Sequence, residues 1–450
     1  MAGHLLDRID SVYFLLRPGW ETELRGNRWN FAVRWAKVKP VVLVNPVLKG
    51  GPSRSAQEPR IPNCRVLHIQ SLDEARQLAK AQIQLGQVLT DMLHHQFLRP
   101  LLWCYNPNLV NLSARLPAAA RLYHATEAYF DTPTFTQIFY ERLRALVAIS
   151  DLSVAVSDGV AAGLRARVPG ADVLTVSNGC DYLHYSAGKP DEVLRTKGGP
   201  FSRVAIYAGN INGRLDFALL NRLATEHPQV LFGIYGPLRQ LQEDDMSAWQ
   251  RLASLPNVLA PGAVDPERLR DLYAAADVGI IPYKQDAVLI ENALPLKALE
   301  MCATGLPVVS TLMKPLMGLT RGLVVTSSSD EFLAAFATTS RGTLAAEDVA
   351  DMIAVSTAND YDNKFQEVLA ELGQRTIDSQ PATRVDRMVE ALGPEWFAAE
   401  VRFSRWLAMP PATHFLGWFI VAVATLIPVR VRRRLPWARL HNAGRELLGS

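Results

Sequence analysis

The chain has 450 residues, room for two or three domains at about 150 residues each. Hydrophobic residues make up 49% and charged residues 20%, a globular balance that excludes a disordered or fibrous chain. The formal charge of +3 is too small to argue for nucleic acid as a partner. That charge is unevenly placed, because residues 410–450 carry six Arg and one Glu, or +5, and leave −2 for the body. Cys64, Cys104, Cys180 and Cys302 lie far apart with no CxxC pair, which fits a reducing compartment and disfavours a zinc site or disulfide frame. Met1–Asp7 lacks the cationic start and apolar core of a signal peptide, so the body is expected in the cytoplasm.

In chain order, Ser11–Leu16 reads as a strand stopped by the Arg17-Pro-Gly-Trp20 turn, and Lys39–Asn45 as a second strand. Residues 71–97 carry apolar side chains at helical spacing (Leu72, Ala75, Leu78, Ala79, Ile83), opened by a Ser71-x-x-Glu74 capping box. Pro100–Tyr105 and Arg121–His124 read as strands around a helix-like segment. Leu143–Ser157 reads as a helix and strand, and Val173–Val176 closes the region. Asp181–Pro200, with Gly188, Pro190 and Gly198-Gly-Pro200, breaks the pattern, and a domain boundary is expected there. The grammar then restarts, with strands at Val204–Ala208, Val230–Tyr235, Asn257–Leu259, Val278–Pro282, Pro307–Ser310 and Gly322–Val325. Helices at Asp216–Glu226, Pro266–Ala275 and Pro295–Thr304 alternate with them. Such alternation predicts α/β domains with doubly wound parallel sheets, here two Rossmann-like units over 1–188 and 189–380, then return helices over 381–409.

In open α/β sheets ligands sit beyond the carboxyl ends of strands, so the turns there carry most information. Ala208-Gly209-Asn210-Ile-Asn-Gly213-Arg214 lies between a strand and a helix. Glycines let the backbone approach a pyrophosphate, the helix start suits an anion, and Arg214 supplies a counter-charge. The spacing is not GxGxxG, so an ordinary turn with a surface Arg fits the same residues. Farther on, Lys297 and Glu300 lie three apart on one face of a helix that starts beyond a strand end. They suit a phosphate and ribose hydroxyls, or alternatively a surface ion pair of little worth.

The string P-x-K-x-x-E-x-x-A-x-G-x-P-V-V-S over Pro295–Ser310 resembles the donor-sugar signature of GT-B nucleotide-sugar glycosyltransferases. The likeness is best to the bacterial teichuronic-acid and exopolysaccharide branch of glycosyltransferase family 4. It runs from about residue 11 to 393 through Leu102–Pro107, Asp151–Ser157, Asn178-Gly-Cys-Asp181, Leu215-Asp-Phe217, Leu255–Val258 and Asp277–Tyr283. The resemblance implies two Rossmann-like domains facing a cleft, the first for an acceptor and the second for a nucleotide-sugar. It implies donor contacts from Gly209, Asn210, Arg214, Tyr283, Asn292, Lys297 and Glu300, with no cofactor and no metal. Asn292 departs from the family, which has a glutamate there; an amide still hydrogen-bonds hydroxyls but carries no charge.

After the strand at Arg121–His124, related enzymes carry an acidic pair, which implies Glu127 as general base with His124 as its substitute. A capping Glu beside a packed His suits the same residues. Gly19 and Trp20 fall on the implied acceptor side, where a purely structural Trp is the alternative. Asp360-Tyr-Asp362 has the form of a metal-binding DxD, but late in the chain and beside a helix start it reads as a cap.

Phe415–Val429 is an apolar run of 15 residues, short of the roughly 20 that a span needs. Phe415, Trp418 and the flanking Arg430, Arg432, Arg433 and Arg434 suit a segment lying in an anionic leaflet. The expectation is a glycosyltransferase peripheral to the cytoplasmic membrane face. It would move a sugar from a nucleotide diphosphate donor, a UDP-sugar foremost, to a lipid-linked saccharide or polysaccharide precursor. A nucleotide-sugar 2-epimerase of the same fold, or an inactive homologue serving as a membrane-bound assembly factor, are the alternatives.

Overall fold

The computed structural model describes residues 2–47, 54–70, 77–127, 137–285 and 294–375, with Arg384, Arg387, Met388 and Ala391. The Ser71 capping box, Asn292 and all six membrane residues of the tail lie outside them.

The first sheet has eight strands: β1 (Ser11–Leu15), β2 (Val41–Val47), β3 (Arg54–Gln57), β4 (Cys64–Gln70), β5 (Pro100–Cys104), β6 (Ala120–Ala125), β7 (Leu152–Ala155) and β8 (Val173–Thr175). Their order is β3-β4-β2-β1-β5-β6-β7-β8, parallel throughout except for the β3–β4 hairpin. The second sheet has six: β9 (Arg203–Ala208), β10 (Val230–Tyr235), β11 (Val258–Gly262), β12 (Val278–Ile281), β13 (Val308–Thr311) and β14 (Leu323–Thr326). Its order is β11-β10-β9-β12-β13-β14, all parallel. Period-two alternation explains the uninterrupted apolar strands, since helices cover both faces of a parallel sheet. Tyr13, Leu15, Val42 and Val44 enter one core layer, while Val12, Phe14, Val41 and Leu43 enter the other. In each sheet the winding direction reverses once, between β1 and β5 and between β9 and β12.

The chain crosses between the domains twice. Cys180 already belongs to the core of the second sheet, so the first crossing precedes the expected boundary at 188. Asp181–Pro200, expected to be irregular, holds two short helices, Tyr182–Ser186 and Glu192–Gly198. The second crossing also comes early. Helix Tyr361–Gln374, assigned from sequence to the second domain, buries Tyr361, Phe365, Val368, Leu369 and Leu372 in the first. Phe365 meets Trp35 edge-on, ring centroids 5.1 Å apart.

The two crossings touch. Cys180 N–H donates to Asn359 O (3.1 Å) and Tyr361 N–H to Cys180 O (3.0 Å). Arg34, 5% exposed, clamps this junction through Asp360 (3.4 Å) and Asp362 (2.6 Å). Asp360 caps the helix it precedes, accepting from Asp362 N–H, so the DxD string is indeed a cap.

Candidate active site

A cleft of about 540 Å³ lies between the domains, within the usual size of a ligand pocket. It is lined by segments that follow β1, β6, β9 and β12, and of these β1, β9 and β12 flank the reversals of winding.

On the second domain, Gly209 follows β9 and Gly236 follows β10, with φ of +150° and +147°. A Cβ on Gly236 would fall 1.8 Å from Gly209 O, and one on Gly209 would fall 2.4 Å from Lys297 Nζ. Only glycine permits this close stack of turn on turn. The Asn210 side chain accepts from Arg239 Nε (2.9 Å), and its carbonyl accepts from the Tyr207 hydroxyl (3.0 Å). Neither Arg239 nor Tyr207 was picked out from sequence; the Gly236-Pro237 turn, which mirrors Gly209, was the available signal for Arg239.

Helix Leu296–Ala303 begins after Pro295, whose extended backbone occupies the cap position. Lys297 Nζ donates to the Tyr283 hydroxyl at 2.7 Å and sits 4.0 Å above the Tyr207 ring. The alternative of a Lys297–Glu300 surface pair is thereby corrected: the ammonium is engaged by the two tyrosines. Burial opposes ionisation of Tyr283, but Lys297 prevails and holds that phenol below its ordinary value. Glu300, one turn on and 8% exposed, is pushed by burial up to about 7, against the pull of the Tyr185 hydroxyl and Lys297. Arg214 is fixed through its backbone, its N–H on Asn212 Oδ1 (3.1 Å) and its carbonyl accepting from Lys284 N–H (2.8 Å). Its guanidinium reaches across the cleft to Glu127, Nη2 to Oε2 3.3 Å.

On the first domain, Gly19 and Glu127 line the cleft, as does Asn178 where the chain crosses. Asn178 accepts from Asn27 Nδ2 and donates to Leu294 O, both at 3.0 Å. Two expected residues are withdrawn. Trp20 is 1% exposed; its indole N–H donates to Glu58 (2.5 Å) and its ring stacks on Trp29 at 5.8 Å. It is a core residue with no face for an acceptor. His124 is wholly buried among Phe31, Trp103 and Tyr105, and burial pushes it down to about 3. A neutral imidazole with no path to the cleft cannot stand in as base.

The cleft therefore gathers Gly209, Asn210, Arg214, Tyr283, Lys297, Glu300, Glu127 and Gly19. Two cations beside a glycine turn suit a diphosphate, and a carboxylate one helical turn away suits a vicinal diol. Among the described residues, no group of three His, Cys, Asp or Glu is placed to hold a metal ion.

Residues 203–340 match the family described as Glycosyl transferases group 1. TuaH of Bacillus subtilis, named for a glycosyltransferase of teichuronic acid biosynthesis, is 37% identical over 142 residues, 31% of this chain and 34% of that protein. The alpha-galactosylglucosyldiacylglycerol synthase of Streptococcus pneumoniae is 30% identical over 151 residues, 32% of this chain and 39% of the relative. The matches thus span little more than a third of these relatives. Among solved structures, Anabaena Alr3699/HepE in complex with UDP and glucose superposes with a TM-score of 0.61 at 17% identity, over 81% of this chain and 99% of that one. Sucrose-phosphate synthase from Thermosynechococcus elongatus gives 0.59 at 13%, over 81% and 96%. At such identities the likeness establishes the fold, which is GT-B: two Rossmann-like domains around a cleft.

Proposed function

We propose a specific activity for this chain, whose residues 203–340 match the group 1 glycosyl transferases: sugar transfer from a nucleoside diphosphate donor to a lipid-linked saccharide or polysaccharide precursor. The observation that carries the reading is the convergence of Lys297, Arg214 and the Gly209 turn on the cleft beyond β9 and β12, with Glu300 buried beside them.

In this reading Lys297 and Arg214 offset the charge that develops on the departing diphosphate. Each charge-assisted hydrogen bond is worth about 1.5–3 kcal/mol. Two fixed cations perform the task that a metal ion performs elsewhere, so EDTA should leave turnover unchanged. Glu300 accepts the ribose hydroxyls. Glu127, whose carboxylate meets Arg214, serves as base toward an acceptor hydroxyl entering past Gly19. Closure of the two domains keeps out water that would otherwise hydrolyse the donor.

The lipid-linked acceptor and the membrane face rest on the tail, where Phe415, Trp418 and the Arg430–Arg434 cluster supply apolar and cationic contacts to an anionic surface. The two relatives are named for teichuronic acid biosynthesis and for an alpha-galactosylglucosyldiacylglycerol, which favours the same acceptor class. The test is transfer of label from UDP-, GDP- and ADP-sugars into a bacterial lipid extract. Label should enter the lipid phase with the wild type, and Glu127→Gln should slow it about 10²–10⁴-fold. Interconversion of the free nucleotide-sugar without an acceptor would point to an epimerase instead.

A further inference from the structure

Among the described residues, two ion pairs bridge the domains close to the cleft. Arg214 of the turn after β9 meets Glu127 beyond β6 at 3.3 Å. Arg25, with φ +58°, meets Glu267 at the start of helix Pro266–Ala275. They differ in one respect. Arg214 and Glu127 both line the cleft, whereas neither Arg25 nor Glu267 does. The two cations at the glycine turn also differ from each other. Lys297 donates to the Tyr283 hydroxyl and lies over the Tyr207 and Tyr283 rings, while Arg214 is paired with a carboxylate from the opposite domain. The side chains of Arg214 and Glu127 are 44% and 43% exposed, so their pair can open without uncovering any core.

We propose that Arg214 is exchanged between two anions: Glu127 holds it in the empty cleft, and the diphosphate takes it when a nucleoside diphosphate binds. The proposal rests on the reading of this cleft as a nucleoside-diphosphate site. An exposed ion pair is weak and a diphosphate carries more charge than a carboxylate, so the exchange runs toward the ligand. Its consequence is an order of events. While Arg214 occupies the Glu127 carboxylate, those oxygens are engaged across the cleft, and the donor's arrival frees them to accept from the acceptor hydroxyl. The ligand in turn binds more weakly than the bare site allows, because it must displace Glu127.

The experiment is calorimetric titration at low salt with whichever of UDP, GDP or ADP the wild type binds most tightly. Glu127→Gln removes the competing charge and keeps the shape, so affinity should rise by about three- to tenfold. Arg214→Ala should weaken binding by about tenfold or more, and Glu127→Gln added to it should have no further effect. Glu267→Gln is the control: it breaks the bridge that does not face the ligand, and affinity should not move. Tighter binding in Glu267→Gln as well would mean that loosened closure, rather than exchange, explains the gain, and the idea fails. It fails equally if Glu127→Gln binds no tighter than wild type while Lys297→Ala binds worse; the donor site then survives and the exchange does not. If neither Lys297→Ala nor Arg214→Ala affects any of the three nucleotides, both the exchange and the donor-site reading are overturned.

Discussion

A carboxyl group folded to 8% exposure at the start of a helix makes both stability and binding depend on pH. Burial raises Glu300 from 4.5 to about 7. A carboxylate raised in the folded state binds its proton more tightly there than in the unfolded chain. Stability is therefore fullest below about pH 4.5 and falls as pH climbs toward 7, by roughly 3 kcal/mol at 1.36 kcal/mol per pKa unit. Binding of a ribose has the opposite sign, since only the ionised group accepts from both hydroxyls. Glu300→Gln should flatten the decline of the unfolding midpoint between pH 5 and 8, and should remove the part of nucleotide affinity that rises over that range. Superimposable profiles for the two proteins would show that Glu300 does not titrate there. Lys297 and Glu300 were readable from sequence because their spacing and the strand before them fix which helix face meets the cleft. Trp20 and His124 were not. The orientation of Trp20 is set by Glu58, 38 residues further on, and that of His124 by the pleat of β6, whose faces are both buried.

At the scale of elements, the strands of both sheets were legible because continuous Val, Ile and Leu runs between glycine-rich turns have few other solutions. The partner of a helix is harder to read. The apolar stripe of Tyr361, Phe365, Val368, Leu369 and Leu372 announces a packed helix but does not say against which domain it packs. Packing decides it: the stripe fits the aromatic layer of Phe31, Trp35 and Trp103 in the first domain. Phe365, 5% exposed, should thus act as a core residue of a domain whose sheet lies about two hundred residues away in sequence. Phe365→Ala is expected to cost about 3–5 kcal/mol through lost burial and the cavity left behind. Denaturant unfolding followed by the fluorescence of the tryptophans around it reads this out. A loss below 1 kcal/mol would mean that the helix is merely appended. The mutual approach of Gly209 and Gly236 was half visible: the glycines stand out in sequence, but their contact across two loops does not.

For the whole molecule, the arrangement places a cation-bearing turn of one domain opposite a carboxylate of the other, across a cleft whose two chain crossings are pinned together by Arg34. No helix of the described residues is long and apolar enough to cross a membrane. The proposed membrane attachment belongs to residues 410–450, at ~1 kcal/mol per near-surface Arg. Replacing Arg430, Arg432, Arg433 and Arg434 by Gln should weaken flotation with anionic vesicles far more than with neutral ones, and high salt should mimic the change. Deleting 410–450 should abolish flotation and leave nucleotide binding intact. Persistence of flotation after the deletion would move the membrane contact to the body.

The central claim, that the turn after β9 and the helix start at Lys297 together hold a nucleoside diphosphate, is tested most directly by hydrogen–deuterium exchange with and without a saturating nucleotide from the UDP, GDP and ADP panel. The account predicts slower amide exchange over 209–215 and 296–300, with the β3–β4 hairpin on the far edge of the first sheet unchanged. A nucleotide that binds while leaving both of those segments unprotected would contradict it.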